Sequence, residues 1–461
     1  MITGIKSGAV LQRGKDGTCE TYIIAEGAKE LSASIGSIEK CGDRWKLTGI
    51  PAGGPYDLTV YCDGEKYEFT DLYVGDLWLL GGQSNMEGAG VITERDEYHR
   101  THPDEKVRAF YMEDEWGAAV PLLHRLWKSK DLYIAEEWKN YRKDSPWEKY
   151  DKVDGEYPYE DYRGIGPGFA FALEMQKITG VPQGLIPCGI GGSSLTGWDH
   201  CSETPNYYTS MIRRLKECGG DARGLYWDQG EAECSYAGVA AYNDRMKNFV
   251  DAVRKENAGD LAVVFDQIAY TEIGNENKDV HKCYSLIREK QRLLPEIIDG
   301  SDTVSTMNAN LSDRIHKDSD SQYAIGKSAA ISMAKLCGYG GETSIKFKGI
   351  KVRQNETIPF RYVVEVYYDN VIGSLTSDGV PRGFTIQLEG DDGYCFYPYR
   401  DIFDIRPEGN KVSIGSIHSY EQIMNADLWY GIGNNCVCNI KDGAGRYLPA
   451  MGPIKIKDNS I

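Results

Sequence analysis

The sequence predicts an α/β protein in three parts: a small β domain over residues 1–72, an α/β domain over 73–340 built on a five-stranded parallel sheet, and a second β domain over 341–461. Three observations predict it. Apolar residues recur with a period of two towards both ends, as in Leu58, Val60 and Cys62 and again in Tyr362, Val364 and Val366, with Gly, Pro and Asp turns between them. Between Gly75 and Gly340, short apolar runs alternate with segments spaced i, i+3, i+4, the pattern of strand, crossover helix and strand. One run, Leu77-Trp78-Leu79-Leu80, is continuously apolar, as a strand buried on both faces must be, and it stops at Gly81-Gly82.

In chain order, the expected strands of the sheet are Asp76–Leu80, Leu185–Ile190, Leu225–Trp227, Leu261–Ile268 and Thr303–Met307. Helical spacing appears in Phe169, Ala172 and Leu173, in Tyr208, Met211, Ile212 and Leu215, in Val239 through Val253, and in Val280 through Leu294. Gly180 with Pro182, and Gly219 with Gly220, supply stops. Residues 91–163 read as an acidic, aromatic insertion after the first strand. Trp116, Trp127 and Trp138 are spaced eleven apart there, but Pro121 breaks any single helix that could align them. Either an irregular excursion on the domain's edge or one wall of a substrate cleft fits this stretch. Turn clusters such as Asp391-Asp392-Gly393 punctuate the last domain.

Composition narrows the function. With 69 acidic against 52 basic residues the net charge is -17, which disfavours nucleic acid and anionic membrane surfaces as partners. No run reaches membrane-spanning length and residues 1–17 hold no signal-type apolar core, so a cytoplasmic protein is expected. The 12 cysteines are irregularly placed without zinc spacing, Cys436 and Cys438 being two apart, and read as reduced, mostly buried thiols. Neither a metal nor a cofactor is expected. Assembly into a homo-oligomer is compatible with the sequence.

In a parallel sheet, the loops at the carboxyl ends of the strands gather at one edge and form the ligand crevice. After the first strand comes Ser84 on a tight glycine turn, the placement a nucleophile needs, although an ordinary Ser/Asn loop has the same composition. After the second come Gly191 and Gly192, after the third Gln229 and Glu231, and past the fifth Asp313 and His316. A serine hydroxyl needs an imidazole to take its proton. His316 is the best candidate because Asp313, three residues earlier, can fix its tautomer, and His200 is the rival. The backbone N–H groups of Ser84, Gly191 and Gly192, with the Gln229 amide, are candidate oxyanion donors. Glu231 reads as an orienting or sugar-contacting residue. Arg163, Arg314 and Lys317 are the cations placed near the crevice by topology, with Arg314 the candidate substrate contact.

Gly82-Gln83-Ser84-Asn85-Met86-Glu87, preceded by Gly75-Asp76-Leu77-Trp78, resembles the nucleophile block of the sialate O-acetylesterase family, a branch of the SGNH hydrolases. Val10-Leu11-Gln12-Arg13 and Ala52-Gly53-Gly54-Pro55-Tyr56 resemble its N-terminal module, and Arg382-Gly383-Phe384 with Tyr447-Leu448-Pro449-Ala450 its C-terminal module. The stretch from Gly191-Gly192 to Trp198, then Gln229-Gly230-Glu231 and Asp313-x-x-His316, resemble the remaining blocks. Asp228 stands where an aromatic is usual, Ala232-Glu233 replaces a common Ser-Asn, and Arg314 and Lys317 flank His316 where Asp and Pro are common. The resemblance implies a flavodoxin-like SGNH hydrolase core. It also implies a metal-independent Ser84–His316–Asp313 esterase that removes O-acetyl groups from a small sugar or oligosaccharide. Sialic acid is the first choice of sugar and acetylated xylan or another plant glycan the second. A non-catalytic sugar-binding protein on the same fold is the alternative from a different class.

Overall fold

The computed structural model describes residues 2–143, 163–272, 277–388 and 402–457. The expected turn at Asp391-Asp392-Gly393 and the stretch 144–162 of the expected insertion lie outside the described residues. From residue 65 onward the chain forms β1 (Glu65–Gly82), α1 (Ser84–Glu87), β2 (Val107–Phe110), β3 (Trp116–Ala118), α2 (Pro167–Thr179), β4 (Gln183–Pro187), α3 (Tyr207–Glu217) and β5 (Gly224–Asp228). Then come α4 (Tyr236–Glu256), β6 (Ala262–Gln267), α5 (Lys278–Arg292), β7 (Ser301–Ser305) and α6 (Ser319–Leu336). The residues sort into two compact units. The first holds Met1–Gln229, Met246–Val264 and Asp318–Gly340, the second Gly230–Arg245, Phe265–Lys317 and Gly341–Ile461.

In the first unit, β1 is eighteen residues long and serves two sheets. Its first half pairs antiparallel with Gly53–Cys62 as a hairpin, and its second half enters the parallel sheet. A separate antiparallel sheet of Ile2–Thr3, Thr18–Ala25, Arg44–Pro51 and Ser37–Cys41 shares a core with this hairpin, including Leu11, Ile23, Leu47, Leu58, Val60 and Leu72. Val10–Gln12 pairs parallel with Tyr73–Gly75 and brings its neighbours onto β1. The Gln12 amide oxygen accepts from the Leu77 N–H at 2.8 Å. Arg13 donates two bonds to the fully buried Asp76 carboxylate, at 2.9 and 2.8 Å, which compensates a charge that would otherwise be costly inside the protein.

The parallel sheet of this unit runs β3-β2-β4-β1-β5 and continues into the first residues of β6. Strands β4 and β5 flank β1 in parallel register, with Leu185 opposite Trp78 and Leu225 opposite Leu79. Leu77, Trp78, Leu79 and Leu80 are buried on both faces, as their continuous apolarity requires. Each of the five expected segments is a strand. The expectation of five is corrected by a sixth: Val107–Phe110, inside the expected insertion, pairs parallel with β4 and carries the antiparallel edge β3. Four residues containing an arginine do not read as a buried strand. Arg108 is accommodated because its guanidinium donates to the Gly8 carbonyl at 2.6 Å and pairs with Asp71 at 2.9 Å. The three tryptophans of this stretch sit in β3, in the short turn Leu126–Lys128 and in the helix Leu132–Lys143, so no single helical face aligns them. Helix α2 stops where expected, with Gly180 at φ 71° donating its N–H to the Gln176 carbonyl.

In the second unit, β6 ends beside β7, and α5 lies between them in the chain's last α/β segment. The C-terminal residues form an antiparallel sheet ordered Lys346–Gln354, Tyr362–Asp369, Lys411–Ser416, Ile402–Glu408, and a three-stranded sheet of Phe384–Gln387, Asp427–Tyr430 and Met451–Lys455. Their core includes Val364, Val366, Ile414, Leu428 and Ile440. The eleven described cysteines are free thiols, six of them buried.

Glu365 lies within this sheet and binds Arg353 at 3.0 Å and Lys411 at 2.8 Å. Burial works to raise its pKa, but hydrogen bonds from Lys411, Arg353 and Tyr367 outweigh it and lower the value from 4.5 to about 2. The contribution to stability is therefore complete above pH 4.5 and is lost as pH falls towards 2. Acid unfolding followed by circular dichroism should show Glu365→Gln flatter than the wild type across that window; parallel curves would remove the ion-pair account.

Candidate active site

Ser84 opens α1, a single turn that continues directly from Gly82 and Gln83. The tightness of this turn comes from the neighbouring strand. Gly82 adopts φ +132°, and a Cβ there would lie 2.1 Å from the Asp228 carbonyl oxygen, while the Gln83 N–H donates to that oxygen at 2.8 Å. The Met86 and Glu87 N–H groups return to the Gln83 carbonyl, and Gly88 closes the turn onto the Ser84 carbonyl. Asn85 is buried, its carbonyl accepting from Gln322 on α6 at 3.2 Å. Ser84 itself is half-buried.

The loop after β4 is bonded onto this turn. The Cys188 N–H donates to the Leu80 carbonyl and the Ile190 N–H to the Gly82 carbonyl, at 2.7 and 2.9 Å. Gly191 is next, and a Cβ built on it would lie 2.6 Å from Glu87 Oε2 and 3.8 Å from the Ser84 Cβ. Gly191 is thus placed against both Ser84 and the Glu87 carboxylate. Gly192 adopts φ +71° and faces open space. The Ser193 hydroxyl donates to the Gly82 carbonyl at 3.3 Å and accepts from the Trp198 indole at 3.0 Å, fixing the rest of the loop. Gln229, fully buried just past β5, donates its amide to the Ser193 carbonyl at 3.4 Å. Ser84, Gly191, Gly192 and Gln229 therefore lie in one unit, at the carboxyl ends of three adjacent parallel strands.

Asp313 and His316 belong to the second unit and are brought together by a closed turn. An antiparallel bridge joins Leu311 to Lys317, and the Ser312 N–H donates to the His316 carbonyl at 2.8 Å. His316 Nδ1 lies 2.7 Å from Asp313 Oδ2, while Asp313 Oδ1 accepts from the backbone N–H groups of Ile315 and His316 at 2.9 and 2.8 Å. Partial burial alone would raise the Asp313 pKa, but the His316 ring and these two N–H groups hold it well below the usual carboxylate range. An ionised carboxylate at Nδ1 favours the tautomer that carries its proton on that nitrogen. The rival, His200, is less well supported: Nδ1 is 4.0 Å from Asp199, and Nε2 is turned to Cys201 Sγ at 3.3 Å. Asp199, His200 and Cys201 together are the exposed group of metal-ligand type among the described residues.

The expected cations separate. Arg314 is exposed and donates to the Glu272 carbonyl at 2.9 Å, while its own carbonyl accepts from Thr271 Oγ1 and the Glu272 N–H, each at 2.9 Å. Lys317 corrects the expectation of a cation facing the crevice. Its side chain is fully buried, 3.4 Å from the equally buried Asp266 of β6. The Arg163 side chain lies outside the described residues. Glu231 is half-buried in the turn Glu231–Glu233 of the second unit, where burial and then the Glu231 charge raise the nearby Cys234 thiol.

Two contributors were not visible from the sequence. Glu87 looked like part of a short motif, and only the loop after β4 reveals its carboxylate beside Gly191. His124 is buried with Nε2 3.3 Å from where a Gly189 Cβ would stand, and burial pushes its pKa down to about 3, so it remains neutral behind the Ser84 turn. A lone histidine in a proline-leucine stretch carries no signal of that placement.

The model of the family described as carbohydrate esterase, sialic acid-specific acetylesterase, matches residues 74–335. A probable carbohydrate esterase of Arabidopsis thaliana is 25% identical over 201 residues, covering 42% of this chain and 68% of its own length. Sialate O-acetylesterases of Homo sapiens and Pongo abelii are 23% and 32% identical over 253 residues, 48% of this chain. The matched part is 45% of those two proteins, so the chain spans about half the length of the sialate O-acetylesterases it matches. The same fold occurs in a carbohydrate acetylesterase of Xanthomonas citri, with a TM-score of 0.69, 20% identity, and coverage of 97% of this chain and 98% of that one.

The Lys317–Asp266 pair ties the residue after His316 to a sheet strand inside the protein. Replacing Lys317 by Met removes the cation beside a buried carboxylate and should cost about 3–5 kcal/mol of stability, read from urea unfolding. Lys317→Arg should recover part of it. A Lys317→Met protein as stable as the wild type would show that the pair anchors nothing.

Proposed function

The chain belongs to the carbohydrate esterase family of sialic acid-specific acetylesterases, and we propose that it is a serine O-acetylesterase acting on an acetylated sugar, with Ser84 as nucleophile, His316 as base and Asp313 as the group that orients the base. The observation that carries this reading is the 2.7 Å contact between His316 and an Asp313 carboxylate held ionised by two further N–H donors. In the proposed reaction, His316 Nε2 takes the Ser84 proton as Oγ attacks the acetyl carbonyl, then returns it to the departing sugar oxygen, which leaves as a hydroxyl. Water then hydrolyses the acyl-enzyme by the same proton route. The N–H groups of Ser84 and of Gly191 or Gly192, with the Gln229 amide, stabilise the tetrahedral oxyanion. Closeness of Gly191 to the Ser84 Cβ supports that role.

For the sugar we propose O-acetylated sialic acid, free or in a short oligosaccharide, with Arg314 meeting its carboxylate and Glu231 its hydroxyls. The exposed, backbone-restrained guanidinium of Arg314 supports this choice. A neutral acetylated glycan such as xylo-oligosaccharide is the second reading. It is favoured by the burial of Lys317, which withdraws one expected cation, and by the Glu87 carboxylate beside Gly191.

Hydrolysis of a chromogenic acetate ester separates an esterase from a sugar-binding protein on the same fold. Ser84→Ala should abolish it with the fold retained, and His316→Ala should be nearly as severe. Turnover surviving in folded Ser84→Ala, or His200→Ala being the lethal change, would overturn the assignment. Gln229→Ala should lower kcat by about 10²–10³ with little change in KM. Activity should survive EDTA; loss on chelation with rescue by a divalent ion would remove the serine mechanism. Arg314→Ala, assayed on O-acetylated sialic acid and on an uncharged acetylated sugar, should raise KM for the charged substrate alone. Equal behaviour on both would favour the neutral glycan.

A further inference from the structure

Arg288, on α5, is fully buried. Its Nε donates to the Ile268 carbonyl at 3.1 Å, Nη2 to those of Ala269 and Asn434 at 2.8 and 3.4 Å, and Nη1 to those of Gly431 and Gly433. The remaining contacts are Cys436 Sγ, 3.6 Å from Nη1, and the Tyr284 ring, whose centre lies 5.7 Å from the guanidinium carbon. Among the described residues no carboxylate pairs with this guanidinium. Carbonyl dipoles offset part of the cost of a buried cation, but a full countercharge is missing, and the sulfur is the one partner able to carry it.

Cys436 and Cys438 are both buried, on either side of Val437, which is 51% exposed. Both side chains belong to the hydrophobic core of the second unit, on either side of a residue that reaches the surface. A hydrogen bond from Cys438, together with Arg288, lowers the Cys436 pKa against the effect of burial. Burial and the hydrogen bond to Cys436 raise that of Cys438. The two shifts run in opposite directions, so Cys436 is the thiol of the pair that ionises first.

What Arg288 holds matters for the proposed reaction. Ile268 and Ala269 lead into Thr271, whose N–H donates to the Asn434 carbonyl at 2.7 Å and whose hydroxyl donates to the Arg314 carbonyl. Arg314 stands inside the Asp313–His316 turn. A continuous set of hydrogen bonds thus runs from the thiol pair through Arg288 and residues 268–272 to that turn.

We propose that Cys436 and Cys438 form an oxidation site for hydroperoxides, in which a Cys436 thiolate neutralises Arg288 and its conversion to a disulfide loosens the support of the Asp313–His316 turn. The thiolate attacks one peroxide oxygen and the O–O bond breaks, giving a sulfenic acid at Cys436 and, after protonation, water or an alcohol. The Cys438 thiol then attacks that sulfur and expels water. The thiolate and the thiol together lose two electrons and one proton, a second proton comes from solvent, the hydroperoxide is reduced to water or an alcohol, and Arg288 loses its anion.

The test treats the protein with hydrogen peroxide and tracks three readouts: peptide mass across residues 436–438, thermal melting, and hydrolysis of a chromogenic acetate. The wild type should lose about 2 Da in that peptide, melt at a lower temperature, and lose activity by on the order of tenfold or more. Dithiothreitol should reverse all three. In Cys438→Ser, which keeps the thiolate and its cation, no such linkage should form, and dimedone should trap a sulfenic acid at Cys436. An unchanged wild-type peptide mass, or formation of the linkage with melting and activity unchanged, would overturn the proposal. The link to catalysis rests on the role proposed for His316. Mass and melting do not depend on ester hydrolysis, so failure of the esterase reading and failure of this one are told apart.

Discussion

Burial of Leu77–Leu80 on both faces is the constraint on which the placement of Ser84 depends. Backbone N–H and C=O groups in such a strand cannot be left to water, so both of its edges must be paired, and β4 and β5 do this. Parallel pairing then sends all three strands out at the same edge. The loops beyond them share backbone hydrogen bonds: Gln83 to Asp228, Ile190 to Gly82. Gly191, Gln229 and Ser84 are assembled in one unit as a consequence of sheet formation rather than of any contact specific to the site. The same approach explains Gly82, where the Asp228 carbonyl leaves no room for a side chain.

The other half of the proposed chemistry is built differently. The turn from Leu311 to Lys317 is closed by its own backbone and sets Asp313 so that one carboxylate oxygen takes two N–H groups while the other meets the imidazole. Local geometry alone would leave such a turn adrift. It is held by the buried Lys317–Asp266 pair on one side, and by Thr271 and Glu272 gripping the Arg314 carbonyl on the other. Charges inside a protein are strongly destabilising unless partnered, and here the partners are the device that fixes a short loop. Arg288 uses the same physics one step further out, gathering carbonyls from two loops around a single cation.

Much of this was legible in the residues. The buried strand, the glycine stop, the five expected strands and the helical segments depend on periodicity and turn chemistry, which are properties of neighbouring residues. The Asp313–His316 contact was legible for the same reason, since three residues of a tight turn suffice to form it. The loops after the strands also gave up Gly191 and Gln229, because parallel topology constrains where those loops emerge.

What the tertiary structure decided were the matters that depend on distant partners. Val107–Phe110 became a strand because β4 offered an edge and because Gly8 and Asp71, far away in sequence, satisfied Arg108. Lys317 read as a cation near the crevice and is buried because Asp266 waits on β6. The uses of Glu87, His124 and Arg288 are invisible in the chain, since nothing local distinguishes a buried charged or polar side chain with a remote partner from an exposed one without. Sequence determines which segments can form strands, helices and turns; only the folded chain supplies the long-range partners that let a charge or a polar group be buried.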